Sequence, residues 1–330
     1  MPASQWQREL ADAIRDPLEL LRLLELDRPE LREHALEAAR LFPLRVTRSF
    51  IARMRKGDPA DPLLLQVLPL AAELEHVPGF GSDPVGDLAS QRTPGLLQKY
   101  HGRALLITTG ACAIHCRYCF RRAYPYESAG FRPGQREAIR DALLADPGLE
   151  EVILSGGDPL TLANDKLHQL LELLAEIPHL RRVRIHSRLP VVLPSRVDTG
   201  LIDTFKRSRF RFVHVIHVNH ANEIDPSVAA AVATLRDTGA LVLNQAVLLK
   251  GINDSAAILA GLSQKLIEIG IMPYYLHLLD RVQGAHHFET DQEKAVQLIK
   301  TLQQQLPGYM VPKLVREEQG APGKTVISAD

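Results

Sequence analysis

Three cysteines within one short segment are the residues of this chain whose spacing most clearly indicates chemistry. Cys112, Cys116 and Cys119 are the only cysteines among its 330 residues, with three and then two residues between them. An odd, clustered set argues against a disulfide framework and favours a metal ion or an iron–sulfur cluster. A loop of this length can bring three thiolates to three irons of a 4Fe-4S cubane and leave the fourth iron open to another ligand.

Two simpler interpretations of the same cysteines remain open. The three thiols could bind zinc together with His115 or a distant histidine, although structural zinc sites usually draw on paired ligands and the chain has no second cysteine pair. The thiols could also be buried and carry no metal. The cluster is favoured, because all three ligands lie in one loop that directly follows a predicted strand.

Two glycine-containing segments could also contact a ligand. SGGDP closes a predicted strand at residues 155–159, where Gly156 and Gly157 would allow the backbone to approach a ligand's polar head. Lys324 lies in GAPGKT at 320–325. A lysine this near the end of a chain is ordinarily solvated, but an amine is also the group that forms a Schiff base with a carbonyl cofactor.

The histidines His214, His217 and His220 raise the question of a second metal site. Along an extended strand His214 and His217 face opposite sides, so coordination by all three is not expected. We interpret His217 or His220 as a polar group of a pocket. Trp6 and the helices around it are interpreted as core packing.

The elements that must position these residues alternate regularly from residue 103 onwards. Apolar, β-branched runs occur at 104–109, 151–155, 182–187, 210–218, 240–249 and 273–279, and helical patterns lie near 134–145, 164–177, 197–208, 226–238, 255–269 and 291–306. This alternation predicts an α/β fold with a parallel sheet of right-handed βαβ units. Polar or glycine-rich sequence follows every run. This is typical of a barrel, in which the loops after all strands form the site at one end, whereas a doubly wound sheet would concentrate such residues at one switch point. We therefore predict a partial (β/α)6, TIM-like barrel.

The flanking sequence divides the chain into four parts. Residues 1–58 are predicted to be a helical N-terminal region, 59–102 an irregular Pro- and Gly-rich segment that wraps on the main body, 103–307 the barrel, and 308–330 a C-terminal segment that carries Lys324. Within the barrel, Asp225 before Pro226 predicts the start of a helix, and Gly239 and Gly270 predict helix ends.

The bulk composition excludes several classes of function. The chain carries 39 basic and 39 acidic residues, and a net charge of zero gives no support for attraction to nucleic acid or a membrane surface. No apolar run approaches the roughly 20 residues of a membrane span, and the N-terminus MPASQWQREL lacks the apolar core of a signal peptide. We expect a cytoplasmic protein.

In its motifs the chain resembles the radical S-adenosylmethionine (SAM) enzymes and, among them, the lysine 2,3-aminomutases. CAIHCRYC has the CxxxCxxC form of the larger group, and SGGDPL, HSRLPVVLPSR, NHANEI, NQAVLLKGIND, MPYYLHLLD and GKT look like aminomutase segments in the same order. DPLELLRLLEL, PGLLQKYHGRALL, CFRR and VPKLVRE resemble the short bacterial form of that enzyme. The resemblance covers nearly the whole chain.

The resemblance implies three cofactors and a set of site residues. It implies a 4Fe-4S cluster, SAM on the open iron, and pyridoxal 5′-phosphate (PLP) bound through a Schiff base. It assigns Cys112, Cys116 and Cys119 to the cluster, Gly156, Gly157 and Asp158 to SAM, Lys324 and Arg103 to PLP, and Arg121, Asp280 and Glu317 to the substrate. Arg121 would bind the substrate carboxylate, and the two acidic residues its ammonium groups. Longer catabolic members carry aspartate at the position of Glu317.

The implied activity is an isomerase that converts L-lysine to β-lysine by radical 2,3-amino migration, with an external electron donor. The short bacterial form makes β-lysine for elongation factor P, to which a separate lysyl ligase attaches it. The catabolic form binds zinc through further cysteines, and because no cysteine follows Cys119 we expect no zinc here. One alternative is a metabolic amino-acid 2,3-aminomutase with another substrate. Another, from a different class, is a non-catalytic iron–sulfur or zinc-binding protein.

Overall fold

A ten-stranded sheet forms the centre of the molecule. The computed structural model describes residues 3–127 and 133–328. The strands of the sheet lie side by side in the order in which they occur in the chain. They are β1 (Gln91–Thr93), β2 (Leu96–Tyr100), β3 (Arg103–Thr109), β4 (Glu151–Gly156), β5 (Arg182–Ser187), β6 (Arg211–Ile216), β7 (Leu241–Val247), β8 (Met272–His277), β9 (Lys313–Arg316) and β10 (Thr325–Val326). The strands from β3 to β9 run parallel, and β1, β2 and β10 add antiparallel edges.

Helices precede the sheet and alternate with its parallel strands. They are α1 (Gln5–Ala11), α2 (Pro17–Leu23), α3 (Pro29–Leu41), α4 (Arg48–Ile51), α5 (Arg136–Leu144), α6 (Asn164–Ala175), α7 (Leu189–Val192), α8 (Thr199–Arg207), α9 (Pro226–Arg236), α10 (Ala256–Glu268) and α11 (Gln292–Gln305). The predicted alternation of six strands and six helices is confirmed, and β9 extends it by one parallel strand. The sheet is an open, partial barrel, as predicted.

The pattern of burial along the strands explains which residues reach the interior of the barrel. In β5, Val183 and Ile185 are fully buried. Arg184 and His186, which alternate with them along the strand, line a cavity inside the sheet. Successive side chains of a strand point to opposite faces, so apolar residues of β5 pack outwards beneath the helices and polar ones point inwards. The interior of this barrel is therefore polar enough to hold charged ligands.

The predicted helix boundaries are also confirmed. The side chain of Asp225 accepts a hydrogen bond from the Val228 backbone at the start of α9. Gly239 and Gly270 follow α9 and α10 with φ values of +80° and +79°. Residues with a side chain rarely adopt this left-handed backbone conformation, which is why glycine occurs at both helix ends.

The structure differs from the predicted irregular segment 59–102 in its last part, where β1 and β2 form a hairpin. Pro94 and Gly95 make the turn, and Gly95 has φ +85°. Strand β2 pairs with β3, and its Leu96 and Leu97 are buried. Proline followed by glycine is a turn signal of this type, and pairing with an existing sheet edge supplies the backbone hydrogen bonds of the hairpin.

The N-terminal helices pack against the barrel and share its hydrophobic core. Trp6, Leu20, Leu21 and Phe50 are at most 3% exposed, and Trp6 stacks under the guanidinium of Arg196 from the barrel. The interpretation of Trp6 as a core residue is confirmed. Of the helices that the structure describes, none is long and apolar enough to cross a membrane.

Candidate active site

A cavity of about 490 Å³ lies where the loops after the parallel strands meet. Every site residue that the sequence pointed to lines this cavity: Cys112, Cys116, Cys119, Gly156, Gly157, Asp158, Arg103, Arg121, Asp280, Glu317 and Lys324. The structure thus brings the three thiols and the amine of Lys324 to one enclosed space, although more than 200 residues separate them in the chain.

The cysteine loop is held from outside the barrel by the two parts of the chain that precede it, 1–58 and 59–102. The backbone N–H of His115 donates to the carbonyl of Arg45 at 2.8 Å, and its Nδ1 lies 2.8 Å from the carbonyl oxygen of Pro43. The backbone N–H of Arg117 donates to the carbonyl of Gln66 at 2.9 Å. Residues 43–66 therefore fix the loop that carries the cysteines.

The chemistry of the three thiols fits a metal cluster. Burial raises the pKa of Cys119 to about 11 and that of Cys112 well above its usual value. Bare thiolates are thus costly here, and coordination to iron would offset that cost. In the described residues no three His, Cys, Asp or Glu side chains are grouped as ligands of one metal ion. A cubane makes a different demand, because each thiolate binds a different iron.

The glycines at the end of β4 make room for the cysteine loop itself. Gly156 has φ +123°, and a Cβ on Gly157 would lie 2.3 Å from the carbonyl oxygen of Ala111. The N–H groups of Gly157 and Asp158 donate to the carbonyls of Thr109 and Ala111, at 2.7 and 2.8 Å. Side chains at either glycine would push away the backbone that leads into Cys112.

The carboxylate of Asp158 fastens the loop after β4 to the loop after β5. It accepts the Ser187 hydroxyl at 2.8 Å and the backbone N–H groups of Arg188 at 2.7 Å, Leu189 at 3.1 Å and Leu160 at 3.0 Å. With its oxygens so engaged, Asp158 orders the cavity wall, and its contact with SAM stays a prediction.

The amine of Lys324 faces the cavity from the loop between β9 and β10. It donates to Glu317 at 2.5 Å, and Glu317 also accepts the Tyr100 hydroxyl at 2.6 Å. Burial opposes ionisation of Glu317, but the charge and hydrogen bond of Lys324, together with the Tyr100 hydroxyl and the charge of Lys99, hold the pKa of Glu317 below its usual value. Because Tyr100 belongs to β2, this carboxylate also links the two sides of the open barrel.

Asp280, after β8, carries the second acidic group of the cavity. Burial raises its pKa to about 7, and the positive charge of Lys324 opposes the rise. No ion pair of Asp280 is found among residues 3–127 and 133–328. Its carboxylate is therefore available to a cation brought by a ligand.

Arg121 is buried and held from two sides. Its Nε donates to Asp87 at 2.6 Å and its Nη1 to the Ser155 hydroxyl at 2.9 Å. Lys99 also contacts Asp87, at 2.7 Å. Burial opposes ionisation of Asp87, but Arg121 and Lys99 outweigh it and lower the pKa. Arg121 thus presents a fixed positive group to the cavity.

Two arginines and two tyrosines form the part of the cavity around Lys324. Arg103 stacks over the Tyr100 ring at 4.7 Å, and no ion pair of Arg103 occurs in the described chain. Arg184 contacts Glu151, while its buried Nε has no hydrogen-bond partner within the described residues. Lys324 lies 5.9 Å from the Tyr275 ring centre. Guanidinium donors for a phosphate, aromatic faces for a ring and the amine of Lys324 together fit PLP.

Histidines on the inner face of the barrel supply neutral polar groups. Burial lowers the pKa of His217 to about 3, and its Nε2 lies 3.1 Å from the side-chain nitrogen of Gln245. The buried Nε2 atoms of His186 and His277 have no partner in the described chain. His217 lines the cavity, as predicted, whereas His214 packs against Phe205 and lies outside it.

Several cavity residues were missed at the level of sequence: Asp87, Lys99, Tyr100, Arg184, Arg188, His186, Gln245, Tyr275 and His277. The strand RVRIHS did contain a signal, because charged and polar residues at alternate positions of a buried parallel strand indicate a polar barrel interior. Asp87 gave none because it lies in an irregular stretch, and Lys99 gave none because strand β2 was not predicted.

Comparisons with known proteins show which proteins the chain is similar to. Residues 106–258 match the family model of the Radical SAM superfamily. L-lysine 2,3-aminomutase of Haemophilus influenzae is 45% identical over 326 residues, covering 98% of this chain and 95% of the relative. Among solved structures, a radical SAM methyltransferase from Sphaerobacter thermophilus aligns with a TM-score of 0.48 and 17% identity, over 67% of this chain and 68% of that one. That similarity is too distant to bear on function.

A second relative is more similar still. L-lysine 2,3-aminomutase of Escherichia coli strain K12 is 50% identical over 323 residues, covering 98% of this chain and 94% of the relative. Identity at this level over almost the whole of both chains leaves little room for a different family. The chain therefore belongs to the L-lysine 2,3-aminomutase family of the radical SAM superfamily.

Proposed function

We propose that this chain converts L-lysine to β-lysine as a radical SAM, PLP-dependent isomerase. The observation that carries the proposal is the shared cavity, in which three thiols and the amine of Lys324 accompany the guanidinium of Arg121 and the carboxylates of Asp280 and Glu317. The relatives named L-lysine 2,3-aminomutase support the choice of substrate. When bound, the reduced cluster with SAM supplies a radical that removes hydrogen, and PLP supplies a carbonyl that can carry the migrating amine.

The charges of the cavity complement those of lysine. Arg121, fixed by Asp87 and Ser155, would bind the carboxylate with its remaining N–H donors. Asp280, which lacks an ion pair in the described chain, and Glu317 would bind ammonium groups. A buried carboxylate without an ion pair in the described chain, such as that of Asp280, would favour an amino acid with a cationic side chain over a neutral one.

Holding the cofactors is the task of the remaining predicted residues. Cys112, Cys116 and Cys119 would bind three irons, and the glycine end of β4 would place backbone groups beside the methionyl part of SAM. Arg103 would face PLP, with Lys324 as its covalent anchor. Enclosure by the barrel loops would keep water and oxidants from reactive radicals.

The test is anaerobic reconstitution with iron, sulfide, PLP, SAM and lysine, followed by chromatography of the amino acids. β-Lysine should form with dithionite as the electron donor. Lys324→Ala should lose both β-lysine formation and the visible absorbance of bound PLP, whereas Lys313→Ala, at an exposed position of the same segment, should keep both. A wild-type protein that binds iron but neither cleaves SAM nor binds PLP would instead be the non-catalytic metal protein.

For the biological role, we propose that the β-lysine modifies elongation factor P. The resemblance of the N-terminal segments to the short bacterial enzyme supports this role, and the 94% coverage of the E. coli relative shows that the two chains are of similar length. The purified product should be joined to elongation factor P by its lysyl ligase, with the matching mass increase. A product that the ligase rejects, or another preferred amino acid, would favour a metabolic aminomutase instead.

A further inference from the structure

A buried arginine touches one of the cysteine sulfurs. Arg188, directly after β5, is 5% exposed, and its Nη1 lies 2.8 Å from the Sγ of Cys116. The guanidinium also stacks on the rings of Phe50 and Tyr118, at 5.3 and 5.8 Å. Its backbone N–H is held by Asp158 at 2.7 Å. Contacts of both its backbone and its guanidinium thus hold Arg188 against the sulfur.

The charge of this arginine is balanced within the same buried group. Its Nη2 donates to Glu223 at 2.9 Å and to the side-chain oxygen of Gln66 at 2.6 Å. Glu223 is fully buried and also accepts the backbone N–H groups of Asn219 and His220, at 2.9 and 3.1 Å. Four segments of the chain therefore meet at this arginine: those that carry Gln66, Cys116, Arg188 and Glu223.

We propose that Arg188 raises the reduction potential of the iron–sulfur cluster by donating an N–H···S hydrogen bond to Cys116, with Glu223 as its charge partner. The inference rests on the proposed cluster site. One electron from an external one-electron donor converts the 2+ cluster to the 1+ state, without a change in bonds or protons. The added negative charge spreads onto the cysteine sulfurs, so a hydrogen bond and a positive charge at one sulfur stabilise the reduced state more than the oxidised state.

The signs of the expected shifts separate this role from simple structural support. Arg188→Met removes the hydrogen bond and the charge, and should make the cluster harder to reduce. Glu223→Gln removes the balancing negative charge and leaves the arginine, so it should make the cluster easier to reduce. In the double variant the pair of charges is gone, and the shift that remains comes from the hydrogen bond alone.

The experiment is an EPR-monitored redox titration of reconstituted protein without SAM, so that no ligand on the open iron contributes. Arg188→Met should change the ratio of reduced to oxidised cluster at a fixed potential by about tenfold, which is about 59 mV for one electron. Arg188→Lys keeps the charge and should shift less. Arg196→Met is the matched control, because Arg196 is fully buried but donates to the carbonyls of Leu160 and Leu162, away from sulfur.

Iron and sulfide content and thermal unfolding, measured for each variant, distinguish the two proposals. A wild-type chain that forms no cubane would overturn the proposed function together with this inference. Variants that carry a full cluster at the wild-type potential would overturn the inference and leave the function intact, as would shifts of the same sign in Arg188→Met and Glu223→Gln. If Arg188→Met does not fold, Arg188→Lys with Glu223→Gln decides the sign.

Discussion

Asp280 should set the lower pH limit for substrate capture. Burial raises its pKa to about 7 in the free cavity, and only the ionised carboxylate attracts an ammonium group. As the pH falls through about 7 the carboxylate takes up a proton, so kcat/KM for lysine should fall with it, since this ratio reports the free enzyme. A profile of kcat/KM from pH 6 to 9 measures the effect.

The matching variant is Asp280→Asn, which keeps the shape and removes the charge. We expect its KM for lysine to rise at least tenfold, about 1.4 kcal/mol or more, and the limb near pH 7 to disappear. The exposed Asp141→Asn should behave as the wild type. Persistence of the limb in Asp280→Asn would assign it to another group.

Arg121 depends on a residue from the segment that wraps the barrel. Asp87 accepts its Nε at 2.6 Å, and both side chains are buried. Asp87→Asn would leave the guanidinium without its main countercharge, so we expect a loss of about 3–5 kcal/mol in the free energy of unfolding. Where the protein still folds, KM should rise more than kcat falls, because Arg121 holds the substrate carboxylate. Urea unfolding and steady-state kinetics measure the two effects, and unchanged values in both would exclude this role for Asp87.

At the scale of elements, the junction between β4 and the cysteine loop tolerates no side chain. A Cβ at residue 157 would lie 2.3 Å from the Ala111 carbonyl oxygen. Gly157→Ala should destabilise the fold by about 1–3 kcal/mol and lower the iron content, because the backbone ahead of Cys112 must shift. Gly261→Ala, within α10, meets nothing within 4 Å and should stabilise by about 0.5–1 kcal/mol. Equal iron content in both variants would contradict the argument.

The same elements show what the sequence can and cannot reveal. The barrel strands, the helix caps and the cysteine loop followed from local patterns, because each is encoded in neighbouring residues. Lys324 and Glu317 were found through resemblance, since nothing local distinguishes them from surface charges. Asp87 and Arg188 were missed because their roles arise only from contacts with residues more than 30 positions away. The positions of side chains on irregular segments are determined by the whole fold, and no periodicity in the sequence predicts them.

For the whole molecule, the wrapping segment 59–102 serves the site by anchoring the cysteine loop from outside the barrel. Glu73 is the main ionic link, and its side chain is fully buried. Its carboxylate accepts hydrogen bonds from Arg117 Nε at 2.7 Å, from Arg117 Nη2 at 2.5 Å and from Arg122 Nη2 at 2.7 Å. Burial lowers the pKa of the Arg117 guanidinium. The hydrogen bond and the charge of Glu73 are the largest influences that raise this pKa. The loop between the second and third cysteines is thus tied by charge to a segment that precedes the barrel.

Removing this link should weaken both the fold and the cluster site. Glu73→Gln leaves two buried guanidinium groups without their shared countercharge, which costs about 3–5 kcal/mol in the free energy of unfolding. The cysteine loop should then lose its support, so reconstituted iron per chain should fall and the cluster should be lost faster to a chelator. Glu75→Gln is the control, because Glu75 is 67% exposed in its ion pair with His286 and should change stability by less than about 1 kcal/mol. Denaturant unfolding of both variants, followed by iron analysis, measures the outcome. If Glu73→Gln lost stability but kept a full, slowly chelated cluster, the segment 59–102 would stabilise the fold without supporting the site.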